Sequence, residues 1–169
     1  MKKNGFTLME ILVYLAIAFV VITVIVAFVF LLTDLNNKNK ISRETLNCAK
    51  RAMGIISQEI KDAKSIYTPT TTASQLSLET TKYLPPGESS TYIDFYLCGE
   101  RLCLKKESQD PIALIPTNMK ITNLNFTYIV SGGMPSIKID LAVEYENPSN
   151  RPEYDFSLNL SSTISPRSY

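Results

Sequence analysis

Titratable and nucleophilic side chains are the first place to look for a catalytic or metal site. The chain of 169 residues contains no His and three Cys, at Cys48, Cys98 and Cys103. Without imidazole there is no His general base and no His-ligated zinc, and three thiolates are too few for a four-thiolate zinc site. The sequence contains no phosphate-binding glycine loop and no nucleophile elbow. We therefore predict a non-enzymatic protein with no catalytic residue, no cofactor and no metal.

The remaining charges are balanced and scattered along the chain. Lys and Arg total 17 and Asp and Glu total 16, which gives a net charge of +1. Proteins that bind nucleic acid concentrate basic charge, so nucleic acid is not expected as a primary partner. The loop from Glu146 to Asp155 carries three carboxylates and is a weak candidate for calcium.

Cys98 and Cys103 lie on either side of a predicted hairpin turn. Alternation along the two strands places both side chains on the outward face of the hairpin. A turn at residues 100 and 101 sets them opposite each other in a non-hydrogen-bonded pair, where side chains are closest. We expect a disulfide between them, with two free thiols as the alternative. Cys48 is expected to be a small packed residue.

A long apolar segment precedes all of these residues. From Phe6 to Leu32 the only charge is Glu10. As a helix this segment is about 40 Å long, more than the ~30 Å hydrocarbon core of a bilayer. It is too long for a secretory signal and does not end in a small-residue cleavage site. We therefore predict a transmembrane helix over residues 6–33. Lys2 and Lys3 precede it, so the positive-inside rule places the N-terminus in the cytoplasm.

A second helical pattern follows the membrane segment. Its apolar residues recur at spacings of three and four and form one stripe: Leu46, Ala49, Met53, Ile56, Ile60 and Ala63. No Pro or Gly lies between Phe6 and Met53. The amphipathic helix over residues 34–67 is therefore predicted to continue the membrane segment as one rod, which Thr68-Pro69 ends.

Beyond the helix the apolar pattern has a period of two, which indicates half-buried strands of an antiparallel sheet. The alternating segments are 92–98, 101–105, 124–130, 136–145 and 154–161. Met119 and Ile121 are out of phase with the residues that follow, so a bulge is predicted near Thr122-Asn123. We predict an α+β fold in which the amphipathic stripe covers an antiparallel sheet formed by residues 68–169.

The N-terminus resembles the type III signal of type IV pilins and type II secretion pseudopilins. The family pattern is a short basic leader, Gly, Phe-Thr-Leu, a hydrophobic residue and Glu, followed by an unbroken apolar helix. The segment from Lys2 to Glu10 matches each of these positions. The resemblance implies a pilin-like fold and a leader at residues 1–5. It also implies that a prepilin peptidase cuts after Gly5 and that Phe6 becomes the N-methylated first residue.

Features of the helix and of the last strand resemble minor pilins, among them the J-type pseudopilins and the PilW group. The segments are Arg43-Glu44-x-Leu46, Ile60–Ala63 and Phe156–Ile164. The resemblance implies a subunit that helps to initiate or cap a filament. Its partners would be other pilins or pseudopilins, the prepilin peptidase, an inner-membrane assembly platform and membrane lipid. Before assembly the chain would span the inner membrane once, with its C-terminal domain periplasmic or extracellular. The alternatives are a major filament subunit and a membrane-anchored binding protein unrelated to pili.

Glu10 is the candidate residue for subunit assembly. A carboxylate inside an apolar helix costs a few kcal/mol in a membrane, so such a residue is a functional candidate by default. The resemblance implies cleavage that creates an amine at Phe6, four residues away. In a filament, the amine of one subunit can then pair with the Glu10 carboxylate of its neighbour. The alternative is a glutamate at the membrane edge that extends its carboxylate into the headgroups.

The first prediction concerns processing of the N-terminus. Mass spectrometry of the membrane-extracted protein should find methylated Phe6 as the first residue, because Gly5 allows the peptidase to approach the backbone closely. Gly5→Leu should block the cut. An intact Met1 in cells with an active prepilin peptidase would contradict the pilin resemblance.

Overall fold

The fold is known from a computed structural model, which describes residues 7–82, 84, 86–107 and 109–167. Its first element is a single helix, α1, which runs from Leu8 to Asp62 over 55 residues. At 1.5 Å per residue this helix is about 80 Å long. The helix is continuous across the boundary between its apolar and amphipathic halves, in agreement with the absence of Pro and Gly there.

The helix ends at Asp62, earlier than the predicted end at residue 67. Ala63 is already extended, and the next residues form the short strand β1 (Ser65–Ile66), paired with β2 (Gln75–Thr80). The backbone N–H of Lys64 donates to the carbonyl of Glu79 at 2.8 Å. Pro69 limits how far a helix can extend but does not require it to reach that point. Pairing with β2 takes the chain out of the helix first.

The strands that follow form two antiparallel sheets. Sheet A consists of β1 and β2 with β3 (Thr91–Cys98), β4 (Arg101–Lys106) and β5 (Ile112–Ala113), in the order β1-β2-β3-β4-β5. Sheet B consists of β6 (Met119–Ser131), β7 (Met134–Tyr145) and β8 (Ser157–Ile164), in the order β6-β7-β8. A 3₁₀ turn at Pro152–Tyr154 precedes β8.

The α+β prediction is correct in class, but the single predicted sheet is divided in two. The short strand β5 closes the edge of β4, and β6 then starts a new sheet with β7. The sheets are joined by isolated backbone hydrogen bonds, from Ile121 N–H to the Glu100 carbonyl at 2.7 Å and from Phe126 N–H to the Ala73 carbonyl at 2.8 Å. The alternation of apolar and polar residues predicts which residues lie in strands. The division into two sheets depends on which strand edges form hydrogen bonds with each other.

Two local predictions within sheet B have different outcomes. The bulge is confirmed, because the β6–β7 register shifts between Ile121 and Asn123. Alternation predicts the last strand from residue 154, but the strand begins at Ser157. Residue 154 instead belongs to the 3₁₀ turn that Pro152 starts. Pro is favoured at the start of such a turn because its φ suits the first turn of a helix.

The core lies between the amphipathic half of α1 and the inner faces of both sheets. The predicted stripe is buried except for Leu46, which is half-buried. Ile41, Thr45 and Ala52 are buried as well, so the buried surface of the helix begins earlier than predicted. The sheet residues that are fully buried include Leu76, Leu78, Ile93, Phe95, Leu102, Ile137, Ile139 and Leu141.

The second prediction tests this packing. Ile56 is 0% exposed, so Ile56→Ala should lower the free energy of unfolding by about 2–5 kcal/mol. Gly54 is exposed on the same helix, and a Cβ added there meets nothing within 4 Å. Gly54→Ala should therefore raise stability by about 0.5–1 kcal/mol through helix propensity alone. Urea unfolding of the detergent-solubilised chain, followed by the near-ultraviolet signal of its tyrosines, measures both changes. Equal effects of the two variants would contradict the assigned faces.

Candidate functional site

The start of α1 holds the residues that the sequence connects with processing and assembly. Thr7 is the N-cap of the helix, and its side-chain hydroxyl accepts a hydrogen bond from the Glu10 amide at 3.3 Å. The Thr7 carbonyl accepts from the amides of Glu10 and Ile11. Thr is a favoured N-cap because its oxygen satisfies an amide that lacks a helical partner. Gly5 and Phe6 lie outside the described residues.

Glu10 lies in the first turn of the helix, and its side chain is exposed. Among the described residues, none forms a hydrogen bond or an ion pair with its carboxylate. The positive end of the helix dipole favours a carboxylate at this position. Its neighbours along the described part of the helix are apolar.

The first half of α1 is apolar on every side and uncovered. It contains the one candidate membrane span among the described residues, and none of the residues in that span is buried by the rest of the chain. Exposed side chains of this segment include Ile11, Leu15, Phe19, Val24 and Phe28. An exposed apolar helix of this length is compatible with a membrane span or with a protein interface.

The structure joins Cys98 and Cys103 in a disulfide, with their Cα atoms 5.8 Å apart. The register differs from the predicted one. Cys98 pairs with Arg101 and Cys103 pairs with Tyr96, so the two cysteines are diagonal neighbours rather than opposite residues. They share one face of the hairpin, as alternation predicts. A disulfide can span this diagonal because the Cα separation lies within its usual range.

The hairpin turn consists of Gly99 and Glu100 instead of residues 100 and 101. Gly99 has a φ of +69°. Two-residue turns of type II′ take Gly at the first central position, where φ must be positive. The sequence therefore contained a signal for the correct register, because Gly followed by any residue favours this turn over Glu-Arg.

Cys48 lies beside an open cavity of about 380 Å³ between α1 and the segment from Ala113 to Met119. Burial raises the pKa of the Cys48 thiol, and the nearby Arg51 partly opposes this shift. A thiol with a raised pKa is little ionised at neutral pH and is a poor nucleophile. This environment suits a packing residue rather than a reactive one.

Charged side chains tie the end of α1 to sheet A. The Lys82 ammonium lies 2.6 Å from the Asp62 carboxylate, and its hydrogen bond is the main reason that the pKa of Asp62 is lowered. The Lys64 ammonium lies 2.6 Å from Glu79 and, through its hydrogen bond, lowers the pKa of that carboxyl. Alternation and helical periodicity predicted none of these pairs, because each joins residues from different elements.

The other end of the amphipathic half has one further contact and one buried hydroxyl that the sequence pattern does not predict. The side-chain amide of Asn118, just before β6, donates to the Glu44 carboxylate at 3.1 Å. Thr45 is buried although it is polar, and its hydroxyl has no hydrogen-bond partner among the described residues.

In the loop proposed for calcium, Arg151 pairs with Glu153 at 3.5 Å. The described part of the chain holds no cluster of three or more acidic, His or Cys side chains able to bind a metal.

Comparisons of the chain with models of known protein families, with curated proteins and with solved structures find no match. A functional assignment therefore depends on the N-terminal sequence and on the geometry of this molecule.

The third prediction concerns the disulfide. Mass analysis of the membrane-extracted protein without reductant should show one intramolecular bond between Cys98 and Cys103, with Cys48 alone open to alkylation. The double substitution Cys98→Ser/Cys103→Ser should lower the free energy of unfolding by about 2 kcal/mol, because the closed loop is short. Alkylation of all three thiols without reductant would contradict this pairing.

Proposed function

We propose that this chain is a minor pilin or pseudopilin, a non-enzymatic structural subunit that helps to initiate or cap a type IV pilus or a type II secretion pseudopilus. The observation that carries the proposal is the sequence Gly5-Phe6-Thr7-Leu8-Met9-Glu10 at the start of an unbroken apolar helix. In this proposal the prepilin peptidase removes residues 1–5, and Phe6 becomes the methylated N-terminus.

The exposed half of α1 supports a role in which the helix changes its surroundings. Before assembly it would lie in the inner membrane, where lipid covers its apolar surface. In a filament, the same surface would pack against the helices of other pilins or pseudopilins. The assembly platform would move the chain from one environment to the other.

The sheet domain supports an extracytoplasmic location for the C-terminal part of the chain. The structure contains a disulfide between Cys98 and Cys103, and disulfides persist in oxidising compartments such as the periplasm and the cell exterior. Lys2 and Lys3 before the helix support the same orientation, with the N-terminus in the cytoplasm.

Glu10 supports assembly because nothing in the described chain pairs with its carboxylate. After cleavage, the Phe6 amine of one subunit would meet the Glu10 carboxylate of its neighbour inside the filament. Water is scarce there, so an unpaired charge costs far more than it does at a protein surface. The pair would therefore select subunits that are correctly cleaved and correctly placed.

The fourth prediction separates membrane insertion from assembly. Glu10→Ala removes a charge from an apolar helix, which should ease insertion by a few kcal/mol. The variant should reach the membrane and be cleaved after Gly5, but its recovery with sheared filaments or partner pilins should fall about tenfold or more, because the Phe6 amine loses its partner. Glu10→Gln keeps the shape but not the charge and should fail in the same way.

The matched control is Glu88→Ala, which removes an exposed acid from a loop of the sheet domain and should assemble normally. Normal recovery of Glu10→Ala would show that the glutamate only extends to the membrane surface. Failure of Glu10→Ala to be cleaved would assign the residue to processing instead.

A further inference from the structure

The outer edge of β8 has none of the protection that natural edge strands usually carry. The strand runs over eight residues with the sequence Ser-Leu-Asn-Leu-Ser-Ser-Thr-Ile, which contains no charge and no Pro. Its pairing with β7 shows no bulge. Natural edges are blunted by Lys, Pro, bulges or short length, because an open edge is a template for another strand. An eight-residue edge without these features is suited to receive a strand.

The backbone groups that face outward along β8 can be identified. The Tyr145 N–H donates to the Phe156 carbonyl at 3.0 Å, so Phe156 faces β7. Facing alternates along an antiparallel strand, so every second residue after Phe156 points its N–H and C=O away from β7. These residues are Ser157, Asn159, Ser161 and Thr163, and all are exposed. Within the described ranges, no backbone hydrogen bond reaches this edge.

A second open edge lies at the far end of β6. The backbone N–H and C=O of Phe126 point away from β7, because the N–H donates to the Ala73 carbonyl. By the same alternation Tyr128 and Val130 also point away, and neither has a backbone partner on that side in the described part of the chain. Residues 127–131 read Thr-Tyr-Ile-Val-Ser, an uncharged run of residues that favour strands. The side chains of Tyr128 and Val130 are 43% and 59% exposed.

Both open strands run in the same direction as α1. At its start, β6 lies beside the amphipathic half of the helix, where the Asn118 side chain donates to Glu44. At its end, Tyr128 lines a cavity of about 260 Å³ together with Lys64, just beyond the helix. Because β6 and β8 are both antiparallel to β7, they are parallel to each other. Both therefore run from the membrane-proximal side of the sheet domain to its distal side.

Membrane anchoring limits which edges can meet between two copies. Antiparallel pairing of β8 with another β8 reverses one copy, and its helix would then point away from the shared membrane. Pairing of β8 with the outer edge of β6 keeps both strands and both helices parallel. It also keeps the covered faces of the two sheets on the same side. The edge strands of sheet A, β1 and β5, have two residues each and offer little for pairing.

We propose that β8 of one copy binds residues 127–131 of a second copy, so that sheet B continues from subunit to subunit. The inference takes from the proposed function only that both copies are anchored in one membrane with the same polarity. Such a contact joins different surfaces of the two copies, so it can link further copies in the same way, as a ring where the rotation closes and as an open array where it does not.

The register of sheet B sets the offset between the copies. Tyr128 and Ile164 both lie opposite Ile137, so the β6–β7 hairpin extends beyond the end of β8. To bring residues 127–131 alongside β8, the copy that supplies them must be displaced toward the membrane. The register and the length of β8 set this displacement to between about 10 and 20 Å, at 3.3 Å per residue, and the lower end matches the ~10 Å by which the apolar segment exceeds the hydrocarbon core.

The fifth prediction tests the contact in the full chain, reconstituted in vesicles of phosphatidylethanolamine and phosphatidylglycerol. One tagged copy carries Ile129→Cys and a second copy carries Asn159→Cys, both with Cys48→Ala, and a short bis-maleimide cross-links them. The mixed dimer should exceed the dimer of either variant alone by about tenfold, as expected for a specific strand pairing. A dominant dimer of Asn159→Cys alone would instead indicate β8-to-β8 pairing and overturn the proposal.

Proline substitution tests whether the open backbone edge is responsible. Ser161→Pro removes an outward N–H and leaves the β7–β8 hydrogen bonds in place, so it should reduce the mixed dimer about tenfold. Ser161→Ala is the matched control, because it loses the same hydroxyl hydrogen bond to Asp140 but keeps the N–H. Val130→Pro and Val130→Ala form the equivalent pair on the other edge, should Ser161→Pro fail to fold. Cross-linking that survives a folded proline variant would overturn the proposal.

The N-terminal mass of the same preparation, made in cells with a prepilin peptidase, separates this inference from the proposed function. An intact Met1 together with the mixed dimer would reject the pilin assignment and support the strand pairing. A methylated Phe6 without the mixed dimer would support the pilin assignment and reject the strand pairing.

Discussion

The contact between one stripe of α1 and two separate sheets determines the shape of the rest of the molecule. Ala49, Ala52, Ile56 and Ile60 are 0% exposed, and the small alanines allow the sheets to approach the helix closely. Burial of several aliphatic side chains of this kind contributes about 1.5–3 kcal/mol for each large one. Polar contacts lie at both ends of the stripe, with Glu44 at one end and the Asp62–Lys82 pair at the other. The sheet domain therefore contacts the helix along its amphipathic half, and this packing fixes the direction of the strands relative to the helix.

The same helix cannot bury its first half. Residues 11–33 carry no charge and lie beyond the reach of the sheets, so no other part of the described chain covers them. A lipid bilayer or a bundle of parallel helices solves this problem, and a filament subunit uses both in turn. In the proposed filament, a neighbouring subunit would supply the Glu10 carboxylate with a partner that the described residues of its own chain do not provide.

The sheet domain shows the complementary arrangement, with a closed core and open edges. Sheet A ends on both sides in a strand of two residues, which offers little backbone for pairing. Sheet B ends in the uncharged strand β8 and in the exposed end of β6. In the proposed membrane-anchored subunit, strands that run parallel to the helix restrict the partners that these edges can accept. Neighbours in the same membrane share one polarity, so heterologous pairing between different edges is compatible with anchoring.

The sequence by itself determined the periodic features of this protein. The uninterrupted helix, its buried stripe, the strand alternation and the bulge after Ile121 all follow from apolar spacing, because each depends on neighbours within one element. Only the tertiary structure decided where α1 ends, how the strands divide into two sheets and which residues form the Cys98–Cys103 turn. These features depend on competition between distant backbone groups. Ala63 leaves the helix because β2 offers hydrogen bonds, and Tyr128 and Val130 are exposed because their hairpin extends past the core. No local pattern records the position of a partner strand, so such outcomes appear only when the chain is folded.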